Sequence, residues 1–348
     1  MPQLRTTDAV VHGPRVQPLA EILANEFQER WYRDDLATLV GDGSNEETER
    51  WIAELTVARL KVPYGGALFA TKSVGATFGI VLEDGESVVL KLFNRYFAHT
   101  ELSAVHRCMA MATAQGYPAP RMRSELFEAS PGVWGAFYAY VDGEQRDAHE
   151  PVVRRELARS LAELTALLSP CDAAELPLAG VRRESLWPPP FRLRAQAKID
   201  NDDSRFIDAH GAAAQRAVQK SGLPLTAAHL DWGVRNVRFR DGAVCAVYDW
   251  DSLHAASEAE CAGQAAAQFT AQWDFPARLT PTPDEAGAFF EEYQSARGKK
   301  FSPEERAVAA ASAHYLVAWV AYNEFADGVP EGENFRGLLR NYDSYPLL

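Results

Sequence analysis

The stretch His229-Leu-Asp-Trp-Gly-Val-Arg-Asn236 and the segment that follows it decide how this chain of 348 residues folds. After Asn236, two short runs that contain valine and phenylalanine flank Asp241-Gly242, and then comes Tyr248-Asp-Trp-Asp251. An Asp-Gly pair between two such runs is the strongest short-range signal for a β-hairpin. We therefore expect a hairpin whose two ends, Asn236 and Asp249, are neighbours in space.

Three polar side chains of this segment have the spacing of a phosphate-transfer site. Asp231 precedes Asn236 by five residues, and Asp249 follows Asn236 by thirteen. Asp231 can accept a proton from an attacking hydroxyl group, while an amide oxygen and a second carboxylate hold Mg²⁺ on the phosphates of a nucleotide. Phosphoryl transfer requires little beyond this positioning and charge neutralisation. The alternative is a bare hairpin in which the Asp and Asn residues only form turns, as Asp241 does.

This segment resembles the catalytic loop and metal-binding segment of the protein-kinase-like fold, in the form used by aminoglycoside phosphotransferases and choline kinases. His229, Asp231 and Asn236 match the H-x-D-x-x-x-x-N loop. Asp249 stands where protein kinases have Asp-Phe-Gly. Gly233 occupies the position two after the base, often lysine in protein kinases, which favours a kinase of small molecules. The resemblance implies that Asp231 is the catalytic base and that Asn236 and Asp249 bind Mg²⁺, with His229 bracing the loop.

Composition agrees with a globular protein of the cytoplasm. Hydrophobic residues make up 47% of the chain, which supports a sizeable core in one bilobal domain or two domains. No signal peptide is visible, and the longest apolar stretch, 307–322, is too short to span a bilayer. The four cysteines show no paired spacing, so neither a disulfide framework nor a zinc site is predicted. The net charge of −13 argues against a nucleic-acid partner. It suits a cationic substrate, but a solvated acidic surface explains it as well.

The resemblance extends from about Lys61 to the C-terminus and places a nucleotide site on the first strands. A strand–turn–strand unit is predicted from Ser73 to Phe93, with its turn at 83–85. Lys91 ends an apolar run and is expected to point at the α- and β-phosphates, although an ordinary edge-strand lysine is the alternative. Backbone N–H groups of the Ser- and Gly-containing entry can approach phosphates. The candidate residues here are Ser73, Gly75, Thr77 and Lys91, although glycines such as Gly75 and Gly79 usually just ease a turn.

The helix after Lys91 departs from the family pattern. It ends at Gly116-Tyr-Pro-Ala-Pro120, and relatives place a glutamate about three turns earlier to pair with the lysine. That position is His106 in this chain. Glu101 is the only carboxylate on the helix and lies more than a turn too early. Either Glu101 pairs with Lys91 through a shifted helix, or Lys91 is held differently.

The segment from Trp134 to Gly143 resembles the last small-lobe strand and the hinge that follows it. In the family, main-chain groups here meet the adenine edge, so Tyr138 and Tyr140 are candidate nucleotide-binding residues. The predicted domains are an N-terminal helical extension over 1–60, a small nucleotide-binding lobe over 61–140 and a large catalytic and substrate-binding lobe over 141–348. The extension is expected to cover the small lobe, and a dimer interface is the alternative, so the protein is a monomer or a homodimer.

Helices are predicted after Asp251, over 257–273, 283–297 and 302–325. In the resembling family such helices build the acceptor cavity. Carboxylates and amides beside aromatic rings suit an amine-bearing acceptor, although a surface or core role is the alternative for each residue. The candidates are Asp251, Glu258, Glu260, Trp273, Trp319 and Asn323. The acidic run Asp200-Asn-Asp-Asp-Ser204 is interpreted as a turn between helices.

The sequence therefore predicts an α+β, protein-kinase-like bilobal fold, with a small lobe of mainly antiparallel strands plus a helix and a large, mainly helical lobe. The predicted activity is ATP- or GTP-dependent, Mg²⁺-assisted phosphorylation of a hydroxyl group on a small molecule, such as an aminoglycoside-like antibiotic, an amino sugar or an amino alcohol. No nucleic-acid or membrane partner is expected. The alternative is a nucleotide-binding pseudokinase that regulates a partner protein. The missing helix glutamate favours it, and the intact set of Asp231, Asn236 and Asp249 opposes it.

Overall fold

The computed structural model describes residues 16–26, 30–72, 74–188, 201–273, 275–344 and 346–348. The chain groups into two compact units, Met1–Phe97 with Met122–Tyr140 and Ala98–Arg121 with Val141–Leu348. The predicted division into 1–60, 61–140 and 141–348 concerns the lobes of the fold and stays a prediction. The contacts themselves do not separate the residues before 60 from the strands that follow.

The first unit begins with three helices, α1 (Leu19–Glu26), α2 (Arg30–Val40) and α3 (Asn45–Leu60). The carboxylate of Glu49 on α3 accepts hydrogen bonds from the N–H groups of Leu19 and Ala20 and from the hydroxyl group of Tyr64. These bonds satisfy two N–H groups at the start of α1 that have no partner within the helix. Glu49 therefore fixes α1 against α3 and the first strand.

Five antiparallel strands form the sheet of this unit. They are β1 (Tyr64–Lys72), β2 (Ala76–Leu82), β3 (Ser87–Phe93), β4 (Phe127–Ser130) and β5 (Val133–Ala139), in the order β1-β2-β3-β5-β4. The predicted strand–turn–strand unit is confirmed as β2 and β3. Gly85 lies in the turn between them with a φ of +87°, a backbone conformation that side chains disfavour.

One face of this sheet packs against the N-terminal helices. Leu90 and Leu92 on β3 are fully buried, together with Phe78 on β2, and they form one core with α1, α2 and α3. The N-terminal helices therefore pack on the strands, as predicted. Because side chains alternate along a strand, Lys91 projects from the opposite face, where its partner in the register on β2 is Thr77.

The second unit is mainly helical. Its helices are α4 (His99–Ala114), α5 (Pro151–Leu168), α6 (Asp202–Gln219), α7 (Glu258–Gln268), α8 (Pro283–Ala296), α9 (Pro303–Ala326) and α10 (Phe335–Arg340). Its strands pair as two antiparallel ribbons, β6 (Thr226–His229) with β9 (Leu253–Ala256) and β7 (Val237–Arg240) with β8 (Ala243–Val247). Within the ranges that the structure describes, no helix has both the length and the apolar composition needed to cross a bilayer.

Helix α6 begins in the acidic run that was interpreted as a turn, so that interpretation was wrong. Asn201 accepts a hydrogen bond from the N–H group of Ser204, and the hydroxyl group of Ser204 accepts one from the N–H group of Asn201. Asp202 and Asp203 occupy the first turn, where the helix dipole favours negative charge. The acidic residues therefore start a helix.

Helix α7 is the most enclosed element of this unit, since every residue but Glu258 is buried. Gly263 faces α9, and a Cβ atom at Gly263 would lie only 2.1 Å from the carbonyl oxygen of Ala309. No real Cβ atom approaches an oxygen so closely, because the two would overlap. The missing side chain of Gly263 therefore allows α7 and α9 to pack at this separation.

We expect Gly263→Ala to lower the free energy of unfolding by about 1–3 kcal/mol, because the added methyl group must push two packed helices apart. Gly287→Ala on α8 is the matched control, since a Cβ atom there would have no neighbour within 4 Å. The control should raise stability by roughly 0.5–1 kcal/mol, the usual gain of alanine over glycine inside a helix. Urea denaturation of both variants measures the difference. Equal effects would contradict the close approach at Gly263.

Candidate active site

The predicted hairpin is confirmed as β7 and β8. Asp241 and Gly242 both have positive φ values, 53° and 80°, as a two-residue turn of this hand requires. At the open end, the N–H group of Tyr248 donates to the carbonyl oxygen of Asn236 over 2.8 Å. This bond places Asn236 beside Asp249, which follows Tyr248 in the chain.

The side chain of Asn236 is oriented by Asp231. Its Nδ2 atom donates to the carbonyl oxygen of Asp231 (2.8 Å) and to the carboxylate Oδ2 (2.9 Å). Both partners can only accept, so the amide nitrogen must face Asp231, and the amide oxygen Oδ1 faces away from it. The loop therefore presents an oxygen ligand at Asn236 and a carboxylate at Asp231 with fixed geometry.

Asp249 has a left-handed backbone conformation, with φ of 62° and ψ of 41°. This conformation costs an ordinary residue about 1 kcal/mol, and aspartate tolerates it better than most. Ser252 supports it twice, because its N–H group donates to the carbonyl oxygen of Asp249 (2.9 Å) and its hydroxyl group to the carboxylate (3.1 Å). A strained residue held this firmly at the end of the hairpin is suited to a functional role.

Two histidines, the buried His229 and the partly buried His254, hold the backbone on either side of Asp249. His229 donates from Nε2 to the carbonyl oxygen of Tyr248 (3.1 Å), and His254 donates from Nδ1 to that of Ser252 (2.9 Å). Burial lowers the pKa of His229, and it lowers the pKa of His254 to about 4. Both imidazoles are therefore neutral near pH 7. His229 has the contacts of a brace, the role that the sequence comparison implied.

Arg235 is a residue of this site that the sequence reasoning missed. Its guanidinium Nη2 donates to Asp231 Oδ1, its Nη1 lies 3.5 Å from the carbonyl oxygen of Ala271, and its Cζ lies 4.9 Å from the ring centroid of Trp273. The spacing of four between Asp231 and Arg235 would have signalled a pair on a helix, but this segment was expected to be a loop. Arg235 brings Trp273, a predicted substrate residue that is 55% exposed, to the catalytic loop.

The oxygen atoms at this site fit Mg²⁺ held jointly with a nucleotide. Asn236 can offer an amide oxygen and Asp249 a carboxylate, both of which are hard ligands. Within the described part of the chain, no group of three or more His, Cys, Asp or Glu residues has the arrangement of a metal site. Mg²⁺ needs no such cage, because it commonly binds one or two carboxylates, phosphate oxygens and water.

The loop that carries Asp231 contacts the C-terminal end of α7. Gln268 donates from Nε2 to the carbonyl oxygen of Leu230 (2.7 Å), and the N–H group of Val234 donates to the carbonyl oxygen of Phe269 (2.9 Å). Gly233 favours this approach, because a Cβ atom there would lie 3.0 Å from the carbonyl oxygen of Gln268, which is a tight contact. The helix after the metal segment therefore fixes the loop that carries Asp231.

In the first unit, the predicted nucleotide-binding residues Lys91 and Thr77 share one face of the sheet. Gly75 approaches β3 closely, because a Cβ atom there would lie 2.2 Å from the carbonyl oxygen of Leu92. A Cβ atom at Gly79 would lie 2.4 Å from the ring of Phe69, so this glycine leaves room for that ring. Both glycines thus have packing reasons, and a phosphate-binding role for Gly75 stays a prediction. Ser73 lies outside the described residues.

The structure restricts what Tyr138 and Tyr140 can do at the predicted hinge. Tyr138 lies opposite Val89 on β3, on the same face as Lys91. The N–H group of Tyr140 donates to the carbonyl oxygen of Ser87 (3.1 Å), so it is not available to an adenine ring. A nucleotide contact at Tyr140 would therefore use its carbonyl oxygen or its ring, and both roles stay predictions.

Glu101 has a partner within its own helix. Its carboxylate accepts a hydrogen bond from the N–H group of Ala98 at the start of α4, over 3.1 Å. This contact satisfies one N–H group that has no partner in the helix ladder. The pairing of Glu101 with Lys91 stays a prediction.

The prediction that Glu260 contacts substrate is wrong. Its side chain is fully buried and forms an ion pair with Arg182, with 2.6 Å between Glu260 Oε2 and Arg182 Nη2. The same carboxylate accepts hydrogen bonds from the N–H and hydroxyl groups of Ser257 at the start of α7. A carboxylate with these partners and no exposed surface holds the fold together.

The other residues predicted to contact the acceptor lie in different parts of the second unit. Glu258 accepts a hydrogen bond from the hydroxyl group of Tyr293 (2.7 Å), pairs with Arg297 and lines a cavity of about 630 Å³ whose lining includes neither Asp231 nor Asp249. Trp319 packs on Trp187 with 5.5 Å between ring centroids, and Asn323 donates to the carbonyl oxygen of Trp319. Trp273 contacts Arg235 of the loop that carries Asp231, and Asp251 follows Asp249 by two residues.

Comparison with known proteins agrees with this geometry. A model of the phosphotransferase enzyme family matches residues 73–298, which is well over half of the chain. No curated protein sequence matches. Among solved structures, amicoumacin kinase hAmiN in complex with AMP-PNP, Ca²⁺ and Ami is similar, with 9% identity and a TM-score of 0.62 over 86% of this chain and 94% of that one.

Two further solved structures have the same fold. Spectinomycin phosphotransferase APH(9)-Ia in complex with ADP and spectinomycin is 13% identical, with a TM-score of 0.52 over 85% of this chain and 93% of that one. A thermostable mutant of aminoglycoside phosphotransferase APH(4)-Ia is 12% identical, with a TM-score of 0.53 over 79% and 92%. These likenesses confirm the predicted α+β, protein-kinase-like fold. The family match shows that this chain belongs to the phosphotransferase enzyme family.

Proposed function

We propose that this protein is a small-molecule kinase that transfers the γ-phosphoryl group of ATP or GTP to a hydroxyl group. The observation that carries the proposal is the closure of the β7–β8 hairpin, which sets Asn236 beside Asp249 with Asp231 bonded to Asn236. One base and two oxygen ligands at this spacing are what Mg²⁺-assisted phosphoryl transfer requires. Family membership supports the same reaction class.

In this proposal Asp231 orients the acceptor hydroxyl group and accepts its proton. Asn236 Oδ1 and the Asp249 carboxylate would hold Mg²⁺, and Lys91 and Thr77 would contact phosphates. Mg²⁺, when bound, neutralises charge on the β- and γ-phosphate oxygens. Because proton transfer to a positioned base and charge neutralisation are separate tasks, substitutions at Asp231 and at Asp249 should have different consequences.

The proposed acceptor is a hydroxylated small molecule that bears an amine, such as an aminoglycoside-like antibiotic, an amino sugar or an amino alcohol. The exposed ring of Trp273 beside the catalytic loop supports it, because an aromatic face attracts ammonium groups. Asp251 supplies a carboxylate next to the metal segment. The burial of Glu260 removes one acidic group from the predicted pocket, so the amine preference rests on fewer residues than the sequence suggested.

The direct experiment is a mass-spectrometric screen. The protein is incubated with Mg²⁺ and ATP or GTP against aminoglycosides, amino sugars, amino alcohols and neutral sugars, and products heavier by one phosphoryl group are sought. Phosphorylation of an amine-bearing compound supports the proposal. Tight, Mg²⁺-dependent nucleotide binding without any transfer would favour the pseudokinase alternative instead.

We expect Asp231→Asn to keep nucleotide affinity and to lower turnover by roughly 10²–10⁴, the usual contribution of a positioned general base. Asp241→Asn is the matched control, because it makes the same chemical change in the hairpin turn, where asparagine is equally favourable. Steady-state kinetics of both variants provide the comparison. Turnover of Asp231→Asn equal to that of the control would rule out Asp231 as the base.

We expect Asp249→Ala to lose the Mg²⁺ dependence of nucleotide binding, because one of the two proposed ligands is removed. Calorimetric titration with nucleotide, with and without Mg²⁺, measures the effect. Asp251→Ala serves as the contrast, since its proposed contact is with the acceptor and should leave nucleotide binding unchanged. Equal Mg²⁺ dependence in the wild-type protein and Asp249→Ala would refute the metal role.

If the acceptor is cationic, its KM should rise with added salt more than the KM of the nucleotide does. The reason is that exposed charges attract one another only over roughly 8–10 Å at physiological ionic strength, and salt shortens that range. Kinetics at constant Mg²⁺ over a series of NaCl concentrations tests this expectation. A best acceptor without an amine, or an acceptor KM that ignores salt, would show that the pocket selects neutral compounds.

A further inference from the structure

Arg235 has three partners that together fix the position of its guanidinium group. One is the carboxylate of Asp231, another is the carbonyl oxygen of Ala271, and the third is the face of Trp273. The planar group thus has an anion at one edge, a carbonyl at another and an aromatic ring against its face. In such an environment the planar guanidinium group loses little side-chain entropy for each hydrogen bond that it forms.

The absence of a side chain at Gly233 makes this arrangement possible. A Cβ atom at Gly233 would lie 3.1 Å from Nη1 of Arg235, tighter than nearly all real contacts of that kind. A side chain at position 233 would therefore have to displace the end of the guanidinium group.

The ion pair leaves Asp231 able to receive a hydroxyl group. A carboxylate has about four acceptor positions, two on each oxygen. Among the described residues, Arg235 donates to Oδ1 and Asn236 donates to Oδ2, so each oxygen accepts one bond from these two. Two donors on two different oxygens fix the rotation of the carboxylate, and one acceptor position remains on each oxygen.

We propose that Arg235 is a positioning residue for the phosphoryl-transfer reaction, which acts through Asp231 by holding its carboxylate in the orientation that receives the acceptor hydroxyl group. Trp273 and Ala271 hold Arg235 in turn. This inference rests on the proposed function, because it assigns Arg235 a task within that reaction.

If Arg235 only stabilised the fold, its removal would lower stability and not specifically turnover. The side chains of Arg235 and Asp231 are 22% and 30% exposed, and ion pairs with such exposure contribute little to stability. Removal of Arg235 should therefore leave the midpoint of urea denaturation almost unchanged. The effect should be in turnover, since a small misplacement of a catalytic group can lower the rate by about 10²-fold.

The test is a double-variant cycle on the full-length protein with Mg²⁺-ATP, measured as transfer to the acceptor found in the screen and as phosphate release to water. Arg235→Gln should lower kcat by roughly 10- to 100-fold while the nucleotide KM changes little. In the Asp231→Asn background the same substitution should have almost no further effect, because residues that act as a unit are not additive. Arg235→Lys should keep part of the activity.

Chemical rescue adds a readout that a structural role would not change. In Arg235→Ala, added ethylguanidinium at non-denaturing concentration should restore part of kcat, because it can occupy the place between Asp231 and Trp273. Arg159→Gln is the matched control. Arg159 pairs with Glu156 and Glu163 on its own helix, α5, and is exposed, so its loss should change neither kcat nor its response to ethylguanidinium.

The outcomes separate this inference from the proposed function. No transfer by the wild-type protein would overturn both. Wild-type transfer with Arg235→Gln within about twofold of it would overturn the positioning role alone. A multiplicative loss in the double variant would show that Arg235 acts independently of Asp231, which also contradicts the proposal.

Discussion

The hydrogen bond from the Tyr248 N–H group to the Asn236 carbonyl oxygen closes the β7–β8 hairpin at the end where Asn236 and Asp249 lie. Val237 pairs with Val247 in the ladder of β7 and β8, and this 2.8 Å bond extends the pairing to Asn236, so residues thirteen apart in sequence become neighbours. Asn236 then uses its amide nitrogen on Asp231, which leaves its amide oxygen for a cation. The turn at Asp241-Gly242 makes this closure possible, because both residues adopt positive φ values. A local backbone requirement therefore sets the geometry of the whole site.

The site also depends on a buried helix that carries none of the proposed catalytic groups. The end of α7 receives the catalytic loop through Gln268 and Phe269. Its start is fixed by the buried pair of Glu260 and Arg182, and its middle packs on α9 at Gly263. Since the loop has little regular structure of its own, rigid packing of α7 is what keeps Asp231 in place. Functional residues on loops are commonly positioned by a rigid scaffold in this way.

Local sequence signals predicted the elements whose structure depends on residues close together in the sequence. The hairpin followed from Asp-Gly between two β-runs, and the strand that carries Lys91 followed from the apolar run before that lysine. The errors concern residues whose role depends on a contact with a residue far away in the sequence. Glu260 looked like a pocket residue, but Arg182, 78 residues away in sequence, buries it. Its capping partner Ser257, three residues earlier, was a visible sign of a helix start. Arg235 was missed although its spacing from Asp231 permits a pair, because the role of Trp273 in holding it is a tertiary contact.

The most direct test of this account is paramagnetic relaxation in the nucleotide complex. Mn²⁺ replaces Mg²⁺, and the amide signals of the isotope-labelled protein are compared with those of the Mg²⁺ complex. If Asn236 and Asp249 hold the metal, the amide signals of Asn236, Tyr248 and Asp249 should broaden beyond detection. The Asp249→Ala variant should lose this broadening. Sharp signals from these residues in a saturated Mn²⁺-nucleotide complex would show that the metal binds elsewhere, and the closure of the hairpin would then not be the basis of a catalytic site.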